Sequence, residues 1–239
     1  MYELINSRPR VFLSPRAIVL FTPLSLDESA LQLRRLITHP QFNPLHTTII
    51  VIGPDESTGF SVADLSGLNP TAIAVIDPNI LNSRQGKLLN RLTANKTAID
   101  ISSSAYGDDP EPWGTVLESM PPVEGKGTTI DLISQSPGRA VMVANNPSDN
   151  TRVLNFSTIW MPGWTALLDG LPVPTVLADG AVIGILVPSG RHQIHLEYNA
   201  PWLLPGIILT TSFGLFLLGA GIFTWQRHNS KSRESQGAR

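Results

Sequence analysis

Trp202-Leu203-Leu204-Pro205-Gly206-Ile207-Ile208-Leu209-Thr210-Thr211-Ser212-Phe213-Gly214-Leu215-Phe216-Leu217-Leu218-Gly219-Ala220-Gly221-Ile222-Phe223-Thr224-Trp225 contains no charged residue. About 20 apolar residues cross a bilayer core of ~30 Å as a helix. Trp202 and Trp225 stand at its two ends, where amphipathic rings favour the headgroup level. The competing reading is a buried core helix, but buried soluble helices of this length without a polar face are uncommon. The stretch therefore divides the chain into a single transmembrane helix at 202–225, a large body before it and a short tail at 226–239.

The flanks suggest an orientation. The tail carries Arg227, Lys231, Arg233 and Arg239 against Glu234, whereas Leu186 to Ala200 holds only Arg191 as a fixed positive charge. Basic residues stay on the cytoplasmic side, so the expectation is a cytoplasmic C-terminus with residues 1–200 outside. Translocating that body needs a leader, and Ala17–Leu26 is too short and too interrupted to be a signal peptide. The expectation is therefore a piece of a larger multispanning protein whose other membrane helices lie upstream. A cytoplasmic tail-anchored protein is the rival topology, and it runs against the charge bias.

Composition narrows the rest. With 239 residues and a net charge of −2, the chain offers no basic surface for nucleic acid. It has no cysteine, which rules out disulfides and thiolate metal sites. Twenty prolines and nineteen glycines among β-branched runs indicate many turns.

Between residues 1 and 105 the pattern is α/β. Arg10–Phe21 reads as extended, broken at Ser14-Pro15-Arg16. Ser25 and Glu28 form a capping box ahead of a helix ending near Thr38. Thr47–Ile52 and Ala72–Ile76 are strands, Ser83–Leu92 a helix and Thr97–Ser102 another strand. Residues 106–127, rich in Pro, Gly and acids, read as a linker. From 128 to 200 seven short strands alternate with turns: Thr128–Ser134, Arg139–Ala144, Arg152–Trp160, Trp164–Leu168, Val173–Leu177, Ala181–Val187 and Gln193–Tyr198. That spacing predicts an antiparallel sandwich. The fold class is thus α+β and β-rich: a small α/β lobe, a jelly-roll-like β-sandwich and one C-terminal transmembrane helix.

Several motifs in the second half occur together. Met161-Pro162-Gly163-Trp164-Thr165-Ala166 is followed by Asp169-Gly170, Pro172-Val173-Pro174, Val187-Pro188-Ser189-Gly190-Arg191-His192 and Tyr198, then by the apolar helix. The series resembles the C-terminal end of the YfhO-like bacterial membrane proteins, with Met161 where that family usually has Tyr. Arg8-Pro9-Arg10-Val11-Phe12 and His39-Pro40-Gln41-Phe42-Asn43-Pro44 resemble segments of the same family's extracytoplasmic region. The resemblance implies a part of a GT-C-like glycosyltransferase of the cell envelope, acting on a glycan or teichoic acid from polyprenyl-phosphate sugars. The acidic residue such enzymes use in their first extracytoplasmic loop has no counterpart in this chain.

Three constellations remain as site candidates. Trp160, Trp164 and Asp169 could form a glycan-binding platform, since indole faces are large and rigid. The competing reading makes them core rings and a tight hairpin turn. His192-x-x-His195-x-Glu197 has metal-ligand residue types, but on a strand only His195 and Glu197 share a face, too few for zinc. Asp108, Asp109 and Glu111 read as a solvated acidic run rather than a calcium loop. No phosphate loop, Rossmann fingerprint or nucleophile elbow occurs, so no catalytic residue, metal or cofactor is assigned. The expected partners are the bacterial cytoplasmic membrane, a glycan or cell-envelope polymer, and a membrane protein. The alternative to a glycosyltransferase part is a non-catalytic docking module for a separate membrane protein.

Overall fold

The computed structural model describes residues 9–21, 33–52, 65, 67–68, 70–75, 82–92, 99–100, 111–120, 128–200 and 203–236. It divides into two units, Met1–Asn199 and Ala200–Arg239. The Ser25–Glu28 capping box lies outside the described residues.

The first unit is built on thirteen strands among the described residues: β1 (Val11–Ser14), β2 (Arg16–Phe21), β3 (Thr47–Ile52), β4 (Ala72–Val75), β5 (Ile99–Asp100), β6 (Thr129–Ser136), β7 (Arg139–Asn146), β8 (Arg152–Ile159), β9 (Trp164–Leu168), β10 (Leu171–Val173), β11 (Thr175–Ala178), β12 (Val182–Val187) and β13 (Gly190–Tyr198). They form an eight-stranded sheet in the order β1-β8-β12-β11-β3-β2-β4-β5 and a five-stranded sheet β10-β9-β13-β7-β6. The α/β expectation is met in the run β3-β2-β4-β5, whose strands are parallel. The sandwich expectation is met by the antiparallel remainder, with the five-stranded sheet packed on it. The regions expected as separate lobes at 1–105 and 128–200 both contribute strands to the larger sheet.

That sheet curls. β1 and β2 stand at opposite ends of its first six strands, yet only Pro15 separates them in sequence. Inside the curl lie Val19, Phe21, Ile50, Ile52, Val153 and Val176. On the other face of β2–β4, Ile18, Leu20, Ile49 and Val51 meet Leu36, Phe42 and Trp113. On the other face of β8 and β12, Leu154, Phe156, Ile183 and Ile185 meet Met142, Ile194 and Leu196 of the smaller sheet. β2 and β3 are therefore buried on both faces, which is why Thr47–Ile52 shows no polar alternation.

The inside of the curl also holds a polar knot. Asn155 Nδ2 donates to Ser14 Oγ at 2.9 Å and to Thr48 Oγ1 at 2.6 Å, and the two hydroxyls bond to each other. All three residues are buried, one from each of β1, β3 and β8. Buried polar groups are costly unless paired; Asn155 Nδ2 and the two hydroxyls pair across the curl, while Asn155 Oδ1 has no partner among the described residues.

The join between the two parts of the large sheet is short. β11 and β3 share one ladder pair, Ala178 with Ile50. The turn after β11 reinforces it: Asp179 N donates to Ile49 O at 2.7 Å, and Asp179 Oδ1 accepts from Ile49 N at 2.8 Å. Asp179 has φ 50° and Gly180 φ 70°, left-handed values that Asp and Gly tolerate. A Cβ on Gly180 would stand 2.3 Å from Leu33 Cδ1, so a larger residue would have to push that side chain aside as well as adopt a left-handed backbone.

Two details differ from the sequence expectation. Within the stretch read as a linker, Glu111–Glu118 is a helix, and it buries Trp113 and Val116 against β2–β4. The run read as one strand over Val173–Leu177 is split at Pro174, which has no N–H to give a ladder. β10 before it joins the small sheet and β11 after it joins the large one.

The second unit is the helix Leu203–Gln236, whose first twenty residues, Leu203–Ile222, are long and apolar enough to cross a membrane. At 1.5 Å per residue its 34 residues span ~51 Å, more than a bilayer core. It continues through the basic tail because no Gly or Pro interrupts Trp225 to Gln236.

Candidate functional site

The motifs noted in the sequence gather on one antiparallel pair, β9 with β13, in register from Leu168 opposite Ile194 to Trp164 opposite Tyr198. At one end lies the hairpin turn Asp169-Gly170, both residues with positive φ, which is the two-residue geometry that Asp-Gly favours. The Asp169 carboxylate is fully engaged there. Oδ2 lies 2.6 Å from His192 Nδ1, and Oδ1 accepts from Gln193 N at 2.7 Å. His192 Nε2 lies 3.1 Å from Ser189 O, so both ring nitrogens face acceptors and the imidazolium suits the site. The hydrogen bond from His192, then that from Gln193, lowers the Asp169 pKa. For His192, partial burial opposes the charge, but the bonds to Asp169 and Ser189 outweigh it and the pKa is raised. With Nε2 on a carbonyl, this pair closes the strand ends and leaves no free base.

At the other end the Trp164 and Tyr198 rings lie 5.3 Å apart, tilted by 48°. Tyr198 N donates to Gly138 O at 2.7 Å and Asn199 N to Gly163 O at 2.9 Å, which ties the β6–β7 and β8–β9 connections to β13. Beside Trp164 opens a cleft of about 410 Å³ between the β6–β7 hairpin and the strands β1 and β8. Its lining includes Arg10, Gln135, Ser136, Arg139, Thr158 and Trp164. Pockets of ~300–1,000 Å³ hold small ligands.

The three residues singled out as a glycan platform therefore separate. Trp164 lines the cleft. Trp160 is not among its lining residues; it packs between two core clusters and its Nε1 donates to Thr175 Oγ1 at 3.3 Å. Asp169 is held by His192 at the far end of the strand pair. Of the metal-type residues, Glu197 pairs with Arg139 at 2.7 Å, and among the described residues no group of three or more His, Asp or Glu side chains gathers as for a metal. The contributions of Arg10, Gln135, Arg139 and Thr158 were not visible in the sequence. They come from β6, β7, β8 and the residue before β1, whose neighbours could not be read before the strand order was known.

The chain thus combines a β-rich unit with one apolar helix able to span a bilayer, the make-up of a membrane-anchored domain. Residues 128–210 match the family model described as bacterial membrane protein YfhO, and over that segment the chain is YfhO-like. The matched residues take in the five-stranded sheet, β8, β11, β12 and the start of the helix. No curated protein and no solved structure matches the chain. Family match and helix together fit a membrane location.

Proposed function

We propose that this chain is an extracytoplasmic module of a GT-C-type glycosyltransferase system that holds a glycan or cell-envelope acceptor near the membrane. The single observation that carries this reading is the cleft at the end of the sandwich, walled by an indole with hydroxyl, amide and guanidinium groups around it. Aromatic faces with a few convergent polar groups suit sugar rings. The YfhO-like segment supplies the setting, and the apolar helix supplies a membrane anchor for the chain. The basic residues after Trp225 support a cytoplasmic C-terminus. The bond-making groups belong to membrane helices that act with this module, and no residue of the chain is assigned to catalysis.

The test is binding of the full chain, in nanodiscs, to an array of cell-envelope glycans. Binding that Trp164→Ala abolishes supports the reading. An array on which the intact protein binds nothing refutes it.

One observation favours a docking role instead. β6 is the edge of the small sheet, exposed along most of its length, with Ile133 at 60% exposure. A free edge can pair with a partner's strand. Crosslinking from Ile133 to a membrane subunit, lost in Ile133→Lys, would select that reading.

A further inference from the structure

The cleft carries a charge signature as well as an aromatic wall. Arg10, at the entry to β1, and Arg139, at the start of β7, both line it, and no carboxylate does. Arg10 is exposed and has no ion-pair partner among the described residues. Arg139 reaches Glu197 through one nitrogen, at 2.7 Å, and both side chains are about half exposed or more, at 64% and 48%. Such a surface pair contributes little and is readily exchanged. A guanidinium has five donors in a fixed fork, so Arg139 keeps donors for a second anion. Gln135, Ser136 and Thr158 line the same cleft, as does Trp164, whose ring lies 5.3 Å from that of Tyr198.

We propose that the cleft selects an anionic sugar: a pyranose ring lying on Trp164, its carboxylate or phosphate held by Arg10 and Arg139. The proposal rests on the glycan-holding role above and adds the class of ligand. A neutral sugar would satisfy the indole and the hydroxyls but leave two guanidiniums unused. A bare anion would satisfy the guanidiniums and leave the ring unused. Only a charged sugar uses both. It can arrive on a soluble polymer or as a lipid headgroup, with the same chemistry at the cleft.

The experiment uses the full chain in nanodiscs of uncharged lipid, read by tryptophan fluorescence and calorimetry. The probes are an oligoglucuronate tetramer, cellotetraose of equal length, inorganic phosphate, and nanodiscs doped with a glucuronosyl diacylglycerol. The oligoglucuronate or the glycolipid binds at least about tenfold more tightly than cellotetraose and phosphate, and more weakly as salt rises. Arg10→Gln and Arg139→Gln each weaken the charged probe about tenfold and cellotetraose by much less, so the preference for the charged probe collapses. Both side chains are exposed, so the melting midpoint of each variant reports that the fold is intact. Binding of the soluble tetramer identifies a polymer source, and binding of the glycolipid alone identifies a lipid source. Equal affinity for charged and neutral tetramers, or no effect of either arginine change, overturns the charge assignment and leaves the glycan-holding role standing. Failure of all glycans to bind overturns both.

Discussion

Asp179 offers the sharpest test of how the unit is held together. The large sheet crosses from its parallel to its antiparallel part through one β11–β3 ladder pair, and Asp179 adds two hydrogen bonds to Ile49 at 2.7 and 2.8 Å. Asp179→Ala removes the carboxylate that accepts from Ile49 N, and a bond to a charged group contributes ~1.5–3 kcal/mol. It also forces alanine to φ 50°, where an ordinary L-residue costs ~1–2 kcal/mol. Together these give a loss of about 2.5–5 kcal/mol. For a unit of this size each kcal/mol lowers the melting midpoint by ~2–4 °C, so Asp179→Ala should lose about 5–20 °C. Asp179→Asn keeps an oxygen acceptor and tolerates the left-handed turn, and should lose only about 1 kcal/mol. The assay is thermal unfolding of the full chain in detergent, followed by near-ultraviolet circular dichroism. An Asn variant as unstable as the Ala variant, or an Ala variant that melts like the parent, would refute the reasoning.

Three further outcomes follow from the same structure. Trp113 is fully buried, so Trp113→Ala should cost ~3–5 kcal/mol in the same melt, whereas a ring lying in a loose linker would cost almost nothing. Asn155→Ala removes the donors that join Ser14 and Thr48 across the curl; a loss of ~2–3 kcal/mol is expected, and an unchanged midpoint would mean the knot contributes nothing. The Asp169–His192 pair makes stability depend on pH. The His192 pKa is raised above 6.5, so its contribution is complete below that value and disappears as pH rises through the folded-state value. The Asp169 pKa is lowered below 3.8, so its contribution is present above 3.8 and is lost as pH falls through the folded-state value. Melting midpoints from about pH 6 to about pH 9 should fall in the parent and fall less in His192→Ala; identical slopes would count against the pair.

Much of this fold was legible because local chemistry agreed with tertiary context. Thr47–Ile52 and Trp164–Leu168 appear with the expected bounds, since β-branched and apolar runs between turn residues leave few alternatives. The two Asp-Gly turns carry the positive φ that their sequence demands. Strand order was not legible, because it depends on pairings such as Val11 with Phe156 that no local signal encodes. Trp113 was hidden among acids and prolines, and only the face it covers on β2–β4 explains it. The candidate site was legible as a motif set but not as a place. Trp164 and Tyr198, thirty-four residues apart in sequence, mark one end of a strand pair, and Asp169 and His192 close the other. The motif spacing therefore reflects strand pairing, and the cleft beside Trp164 borrows its arginines from the entry to β1 and the start of β7.

The proposed function requires the β-rich unit to lie on the extracytoplasmic side of the membrane. The chain lacks cysteine, so one introduced thiol reports one position without background. Asp149→Cys, exposed in the sandwich, and Ser232→Cys, in the basic end of the helix, should be labelled in intact spheroplasts with a maleimide that cannot cross the membrane. The account expects labelling at 149 in intact spheroplasts and at 232 only after permeabilisation. Labelling at 232 with protection at 149 would contradict it.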